Sequence, residues 1–484
     1  MNTKLIIFIL TFSVSTLSHA LIDKVIYGED DRLEPFDPAI SSIQQEMAKL
    51  SVAKISIFNL DETGPTVKIL EKSLSKQMKM CPGEAFETQT SSASCSGFFI
   101  PPDMVVTAGH CISDFNCQSN MDKWIFNYEI NKNGKLKEIN HSDVYKCKYI
   151  INKKFSSYPE LVDFALIKLD RPVDNKWHPK EKISLRNKGS KIPEETKLTL
   201  VGNPMGIPKK ITVNGNILNN KPKPYFLTDF DSYKGNSGSM VFDDHTGQIE
   251  GILVRGTKDL NKIKVKIKKP KWYKKNKKCK VSRVVTNISK EKGEGVTRIN
   301  IIPELYYTNL DKKFIKLFHE NKTEEALDLF RKETIDINTR NLDNGKTALI
   351  YAIEKMDSKL IDRILKLNPS INLSDYEKNY PLFIALFNNN LKLFIRFIEL
   401  GADLNVVGAK NKNLIRHAID RQDVDLMKLI VRQGAIPRKG FTSWLFDDSD
   451  YKYLRQLKRQ ARKKSDKASV KIYKRLRKIM KKSQ

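Results

Sequence analysis

The hydrophobic pattern of this 484-residue chain changes its period near residue 305, and no single layer architecture satisfies both halves. Before that point, short runs rich in β-branched and aromatic residues recur between Gly, Pro, Asn and Asp. They are Lys54–Phe58, Ser96–Ile100, Met104–Thr107, Trp124–Tyr128, Phe164–Leu169, Lys197–Val201, Met240–Phe242 and Ile249–Val254. Many short strands with turn signals between them predict an all-β barrel or sandwich. After it, apolar residues fall at helical spacing and a repeat appears. Thr347–Ala352, Tyr380–Ala385 and Asn413–Ala418 align, with alanines at 352, 385 and 418, each 33 residues from the next. Leu349, Leu382 and Ile415 keep the same interval, as do Asn372 and Asn405. Small residues at such positions let paired helices approach, and the leucines fill the layer between repeats. The chain is therefore multidomain, as its length also suggests (about two to four domains).

Hydrophobic residues make up 40% and charged residues 29% of the chain, which excludes a largely disordered polypeptide. The formal net charge is +30, which favours solubility and attraction to anionic partners. Much of that excess is local. Residues 446–484 read as a basic helical tail, with fifteen Lys or Arg against Asp466 from residue 451 onward. The tail is either a solvated helix or a surface for an anionic membrane or nucleic acid. A second basic run, Lys262–Lys280, reads as a surface ribbon within the β-rich part. Residues 1–20 have the form of a secretion signal: Lys4, an apolar run from Leu5 to Leu17, and small residues before the end of Ser18-His19-Ala20. That run is short for an uncleaved anchor, which needs about 20 apolar residues. A secreted or periplasmic location follows. Six cysteines, at 81, 95, 111, 117, 147 and 279, all precede residue 300 and predict a disulfide-stapled N-terminal domain.

Three local motifs follow in order. The first is Cys95-Ser-Gly-Phe-Phe-Ile-Pro-Pro-Asp-Met-Val-Val-Thr-Ala-Gly-His-Cys111, the second Val162-Asp-Phe-Ala-Leu-Ile-Lys-Leu169, and the third Gly235-Asn-Ser-Gly-Ser239. They resemble the His, Asp and Ser boxes of chymotrypsin-fold (trypsin-like) serine peptidases, and the Asn before the serine resembles the bacterial branch that includes glutamyl endopeptidases. The resemblance covers 25–305 and implies an all-β double barrel. The 33-residue repeat over 306–445 resembles ankyrin repeats, which implies an all-α solenoid. There Phe314–Asn338 reads as a divergent capping repeat with His319 at the alanine position, giving three to four repeats. The implied architecture is a double β-barrel followed by an ankyrin solenoid that docks a protein ligand.

A serine hydroxyl attacks an amide only when an imidazole takes its proton and later returns it to the leaving amine. The resemblance assigns Ser237 as nucleophile, His110 as base and acid, and Asp163 as the carboxylate that orients the imidazole. Asp143 and Asp170 are rivals, but only Asp163 directly precedes an apolar strand. The N–H groups of Gly235 and Ser237 would form the oxyanion hole, at roughly 3–4 kcal/mol per donor. No cofactor or metal is called for.

The same resemblance implies a Cys95–Cys111 disulfide beside the histidine, with roughly 3 kcal/mol of stabilisation for a loop of that size. The other four cysteines can pair three ways. Cys117–Cys147 is favoured by the neighbouring strand patterns around Trp124 and Asp143, which leaves Cys81–Cys279.

In this fold the residue six before the nucleophile lines the floor of the specificity pocket. Here it is Asp231, followed by Ser232, and a buried carboxylate there implies protein substrates cut after Lys or Arg. Leu253 stands where glutamyl endopeptidases carry a wall histidine, which speaks against glutamate preference. Arg255, on the same wall, is placed to neutralise Asp231 and spoil the basic preference; the alternative is that Asp231 turns away and bonds backbone. Lys24-Val-Ile-Tyr-Gly28 resembles a zymogen activation site, yet Asn236 replaces the aspartate that would pair with the new terminal amine. The competing class is a binding protein or adhesin on an inactive peptidase scaffold.

Overall fold

The computed structural model describes residues 26–433, apart from 71, 159, 257–259, 265–277, 286–292, 410–411 and 422, together with 455–456, 458–460, 462, 470 and 473–474. The signal-like segment 1–20 and most of the basic tail lie outside the described residues. The chain divides into two compact units at Ile301/Ile302.

Six strands of the first unit, most of them buried along nearly their whole length, form a closed antiparallel barrel. Around it run Asp163–Leu169, Met104–Thr107, Ala93–Ile100, Ser51–Ser56, Asp122–Ile125 and Val144–Phe155. Val52, Ile55, Phe98, Val106, Trp124, Ile125, Leu166 and Ile167 are all buried. The 12-residue strand Val144–Phe155 bends through two register shifts against Asp163–Leu169, which closes the barrel.

The second half is an eight-stranded antiparallel sheet. Its order is Ile217–Asn219, Tyr225–Thr228, Glu294–Arg298, Ile249–Arg255, Met240–Asp243, Leu198–Gly202, Lys210–Gly215 and Arg32–Leu33. The expectation of two closed barrels needs correction here. The sheet packs round Leu198, Leu200, Phe226, Phe230, Val241, Leu253 and Val296, and among the described residues it is not closed by hydrogen bonds. Its edge strands are only three and two residues long and pair inward alone. Within the basic run, Leu260–Lys264 and Lys278–Ser282 pair as an antiparallel ribbon.

Three disulfides staple this unit: Cys81–Cys279, Cys95–Cys111 and Cys117–Cys147. They span 198, 16 and 30 residues, so the first removes the most chain freedom from the unfolded state.

The second unit is helical, with four helix pairs among the described residues. They are Asn309–His319 with Thr323–Lys332, Ala348–Glu354 with Ser358–Leu365, Pro381–Phe387 with Leu391–Glu399, and Leu414–Asp420 with Val424–Arg432. Each repeated motif begins a helix. Thr347 Oγ1 accepts from Ile350 N–H at 3.3 Å and Asn413 Oδ1 from Arg416 N–H at 2.8 Å, while Pro381 occupies a first turn. Ala352, Ala385 and Ala418 are fully buried, with Leu349, Leu382 and Ile415 beside them in one continuous core. The pairs are also laced across their turns: Asn338 Oδ1 accepts from Ser370 N–H at 2.7 Å, and Asn372 Oδ1 from Asp403 N–H at 2.8 Å. Asp362–Arg396 and Glu324–Arg363 ion pairs link successive second helices.

The alanine rule is testable. Ala385→Leu should lower the stability of the helical unit by roughly 1–3 kcal/mol. Denaturant unfolding followed by far-ultraviolet dichroism should show an earlier helical transition, with the near-ultraviolet signal of the buried Trp124 unmoved.

Candidate functional site

His110 sits on a single turn, Gly109–Cys111, that follows the barrel strand Met104–Thr107. Asp163 opens the neighbouring strand and is 4% exposed. Its carboxylate grips the histidine twice: Oδ1 accepts from the His110 backbone N–H at 3.1 Å, and Oδ2 lies 2.7 Å from Nδ1. This places the proton on Nδ1 and directs Nε2 outward. The rivals are engaged elsewhere. Asp143 accepts from Trp177 Nε1 and pairs with Lys176, and Asp170 accepts from Lys146 N–H and pairs with Arg171.

Ser237 lies in the tight turn before Met240–Asp243, on the eight-stranded sheet. Gly235 and Gly238 flank it at φ +108° and +92°, a backbone state that side chains resist. Space forbids one as well. A Cβ on Gly235 would lie 2.5 Å from Asn203 O, and one on Gly238 2.0 Å from Ser96 O. Barrel and sheet meet here. Ser96 N–H donates to Ser237 O at 2.8 Å and Ser96 Oγ to Gly235 O at 2.9 Å. The Cys111 sulfur is 3.5 Å from Ser237 O, and a ring nitrogen of His110 lies within 4.8 Å of the Cys95 and Cys111 sulfurs. Imidazole and serine turn thus share one spot. Those three side chains also form a geometric cluster of metal-ligand types, but both sulfurs are spent in the disulfide, so no thiolate is there to bind an ion.

Among the described residues the N–H groups of Gly235 and Ser237 have no internal acceptor, and Ser237 Oγ makes no hydrogen bond. Two free donors two residues apart suit an oxyanion, and serine–histidine bonds commonly tighten only with substrate bound.

The structure corrects the specificity residues. Asp231 does not stand open at a pocket floor. It is 2% exposed, and its two oxygens accept from Tyr27 N–H at 2.6 Å and Asp31 N–H at 2.8 Å. These bonds clamp an N-terminal strap. Ile26–Tyr27 runs parallel to Val284–Val285, Arg32–Leu33 extends the sheet beside Ile211–Thr212, and the Arg32 guanidinium lies over Tyr233, 4.4 Å from the ring centre. Leu253 points into the sheet core, and only its backbone serves the site, pairing with Gly238 and Ser239. Arg255 donates to Leu161 O at 2.6 Å and lies over the Tyr225 ring, so it does not neutralise Asp231. Ser232 Oγ donates to the Glu294 carboxylate at 2.5 Å. Sequence reasoning passed over Ser96, the strap and Glu294. None carries a local motif, since each acts through contacts of long sequence separation.

The family model that matches the chain is the trypsin-like peptidase domain, over residues 95–252. His110, Asp163 and Ser237 all fall inside that stretch. No curated protein sequence matches significantly. Among solved structures, a Glu endopeptidase in complex with MPD is 16% identical with a TM-score of 0.30, the match covering 48% of this chain and 88% of that one. A scabies mite inactivated protease paralogue, S-I1, is 12% identical with a TM-score of 0.30, covering 54% and 92%.

Burial pushes the Asp231 carboxyl up to about 7, against the two backbone N–H bonds that pull it down. Arg32 also lowers it and Asp30 raises it. A raised folded-state value means the folded protein holds this proton more tightly than the unfolded chain. The stabilisation is therefore complete at low pH and is lost as pH rises from about 4 to about 7. Asp231→Asn cannot titrate. Its melting temperature relative to wild type should climb across that interval and level off above it. Parallel melting curves at every pH would refute the assignment.

Proposed function

We propose that this chain is an exported serine endopeptidase that hydrolyses peptide bonds through Ser237, His110 and Asp163. The observation that carries this is the double grip of Asp163 on His110 beside the glycine-flanked Ser237 turn. The match of residues 95–252 to the trypsin-like peptidase domain supports it independently.

In the proposed reaction, substrate closes the Ser237 Oγ to His110 Nε2 hydrogen bond. His110 takes the hydroxyl proton as Oγ attacks the carbonyl carbon. The resulting oxyanion is held by the N–H groups of Gly235 and Ser237, and Asp163 stabilises the imidazolium without taking its proton. His110 then protonates the leaving amine, and an acyl-enzyme remains. Water, deprotonated by the same imidazole, hydrolyses that ester.

Export is proposed from the signal-like segment 1–20 and supported by three disulfides, which persist in oxidising compartments. Cleavage after Lys or Arg is proposed as the substrate preference, although Asp231 does not supply it. The helical unit is proposed to be an ankyrin array that docks a protein partner; the buried alanines at 33-residue spacing support this. The basic tail is proposed as a contact for an anionic surface.

A fluorophosphonate probe separates this function from an inactive-scaffold binding protein. It should label the wild-type chain and not Ser237→Ala. Ser237→Ala and Asp163→Asn should each lower kcat on a peptide substrate by roughly 10⁴-fold or more. Wild-type protein that resists the probe would favour the binding-protein alternative.

A further inference from the structure

We propose that Arg255 is a positioning residue for Asp163: it ties the chain entering that carboxylate to the opposite sheet and brings a fixed positive charge within electrostatic reach of it. This rests on the peptidase function proposed above and assigns part of its machinery to a residue outside the triad.

The Asp163 carboxylate is gripped from one side. Among the described residues both of its hydrogen-bond partners, the backbone N–H and Nδ1, belong to His110. A carboxylate that orients an imidazole cannot take its own orientation from that imidazole alone, so its placement rests on the backbone leading into it. In that segment Ser156 N–H donates to Val162 O at 2.8 Å, Val162 N–H to Ser156 Oγ at 3.1 Å, and Leu161 N–H to Ser157 O at 3.3 Å. Leu161 stands at φ +51°, a left-handed state that a leucine keeps only when surrounding contacts hold it. The Arg255 guanidinium supplies such a contact, its Nη2 donating to Leu161 O at 2.6 Å. Leu161 directly precedes the Val162-Asp163 pair that starts the barrel strand, and Arg255 ends the sheet strand Ile249–Arg255. One bond thus fastens the approach to Asp163 onto the other half of the unit.

The arginine is itself held in place. It pairs with Gly295 on the next strand, where a Cβ would lie 2.5 Å from Arg255 Cγ and 2.7 Å from Nε, so the glycine leaves room for the stem. The guanidinium lies over the Tyr225 ring, 4.6 Å from its centre. Burial pulls it below its ordinary value, and the negative charge of Asp163 is the first that opposes this fall. It stays ionised at any pH the site meets. Other charged groups on the strands beside the pair are engaged: Lys153 Nζ donates to Ile112 O, Lys154 pairs with Glu160 at 3.3 Å, Lys168 pairs with Asp103 at 2.9 Å, and Glu294 accepts from Ser232 Oγ. A cation near Asp163 steadies the carboxylate and disfavours a second positive charge on His110. Arg255 therefore keeps the imidazole neutral, and able to act as base, to lower pH.

The test uses the full-length chain, with active enzyme counted by fluorophosphonate titration and folding followed by the near-ultraviolet signal of the buried Trp124. Arg255→Met keeps much of the stem and removes both bond and charge. It should lower kcat on a peptide substrate by roughly 10- to 100-fold while KM changes by less than about threefold. The acid limb of its kcat/KM profile should move up by roughly half a pH unit. Arg255→Lys keeps the charge and should leave that limb at its wild-type position, with kcat partly restored. Gly295→Ala crowds the stem without touching either group and should lower kcat by a smaller factor; if Arg255→Met does not fold, this variant and Arg255→Lys carry the test. Wild-type kcat in Arg255→Met or Gly295→Ala overturns the assignment. So does an acid limb that stays in place in Arg255→Met or moves in Arg255→Lys, and so does a change confined to KM. Wild type that the probe never labels overturns the peptidase function itself, and this assignment with it.

Discussion

One backbone hydrogen bond, from Ser96 N–H to Ser237 O, joins the closed barrel to the eight-stranded sheet where the functional groups meet. Everything at the site is referred to it. Ser96 lies next to Cys95, whose disulfide to Cys111 fixes the turn bearing His110. Ser237 O is the atom Ser96 holds. The remaining valences of Ser96 are also used: its carbonyl accepts from Thr107 Oγ1 at 2.7 Å, and its hydroxyl links Gly235 O to Asn203 N–H. A fully buried residue with every polar group satisfied is a rigid reference point. Two sheets that fold through unrelated patterns thus share a common origin of coordinates at the one place where sub-ångström placement matters.

The unit also buries Asp163, Asp231 and Glu294, and their partners distinguish them. Asp163 faces an imidazole and a backbone N–H, which suits a group that must stay ionised beside a transient imidazolium. Asp231 accepts from main-chain N–H groups of residues about two hundred positions earlier in the chain, which suits an anchor. Glu294 accepts from the Ser232 hydroxyl. The same functional group thus serves orientation and tethering, according to whether its neighbour is titratable or fixed. A formal charge of +30 on the chain says nothing of this, because these acids are inside and much of the basic excess lies in two separate sequence runs.

What was legible in the sequence was local. The histidine and serine boxes are short, and the buried alanines repeat at a fixed interval, so residue type and spacing alone identify them. The favoured cysteine pairings were legible because Cys117 shortly precedes the strand Asp122–Ile125 and Cys147 lies in the neighbouring strand Val144–Phe155. The pocket was not. Position six before the nucleophile is a rule about a loop's own geometry, and it cannot see Tyr27 and Asp31 arriving from the N-terminus to claim the Asp231 oxygens. The strand carrying Glu294 was also hidden. Glu-Gly-Val-Thr-Arg has two charges and a glycine in five residues, yet all five are buried. Glu294 meets Ser232, and Arg298 donates to Asn220 and Pro222 O. Strand propensity reads apolar faces, so a strand whose charges are satisfied by distant partners escapes it. The second barrel's failure to close has a similar origin, since no local pattern announces how long an edge strand will be.

The strap also bears on how the site is held in order. Asn236, beside the nucleophile, cannot form an ion pair with a terminal amine; its side-chain oxygen instead accepts from Ser239 Oγ at 3.3 Å. The strap is tied one loop earlier, at Asp231, through N–H groups of Tyr27 and Asp31 that are internal to the chain. Thr212 Oγ1, on the strand that pairs with Arg32–Leu33, donates to Asp231 O at 3.3 Å, so strap, sheet edge and the stretch leading into the nucleophile are bound at a single residue. Internal amides exist whether or not the peptide bond after Lys24 is cut. Anchoring of this kind needs no new terminus to order the loop, and any trimming at Lys24 would act on something other than this clamp.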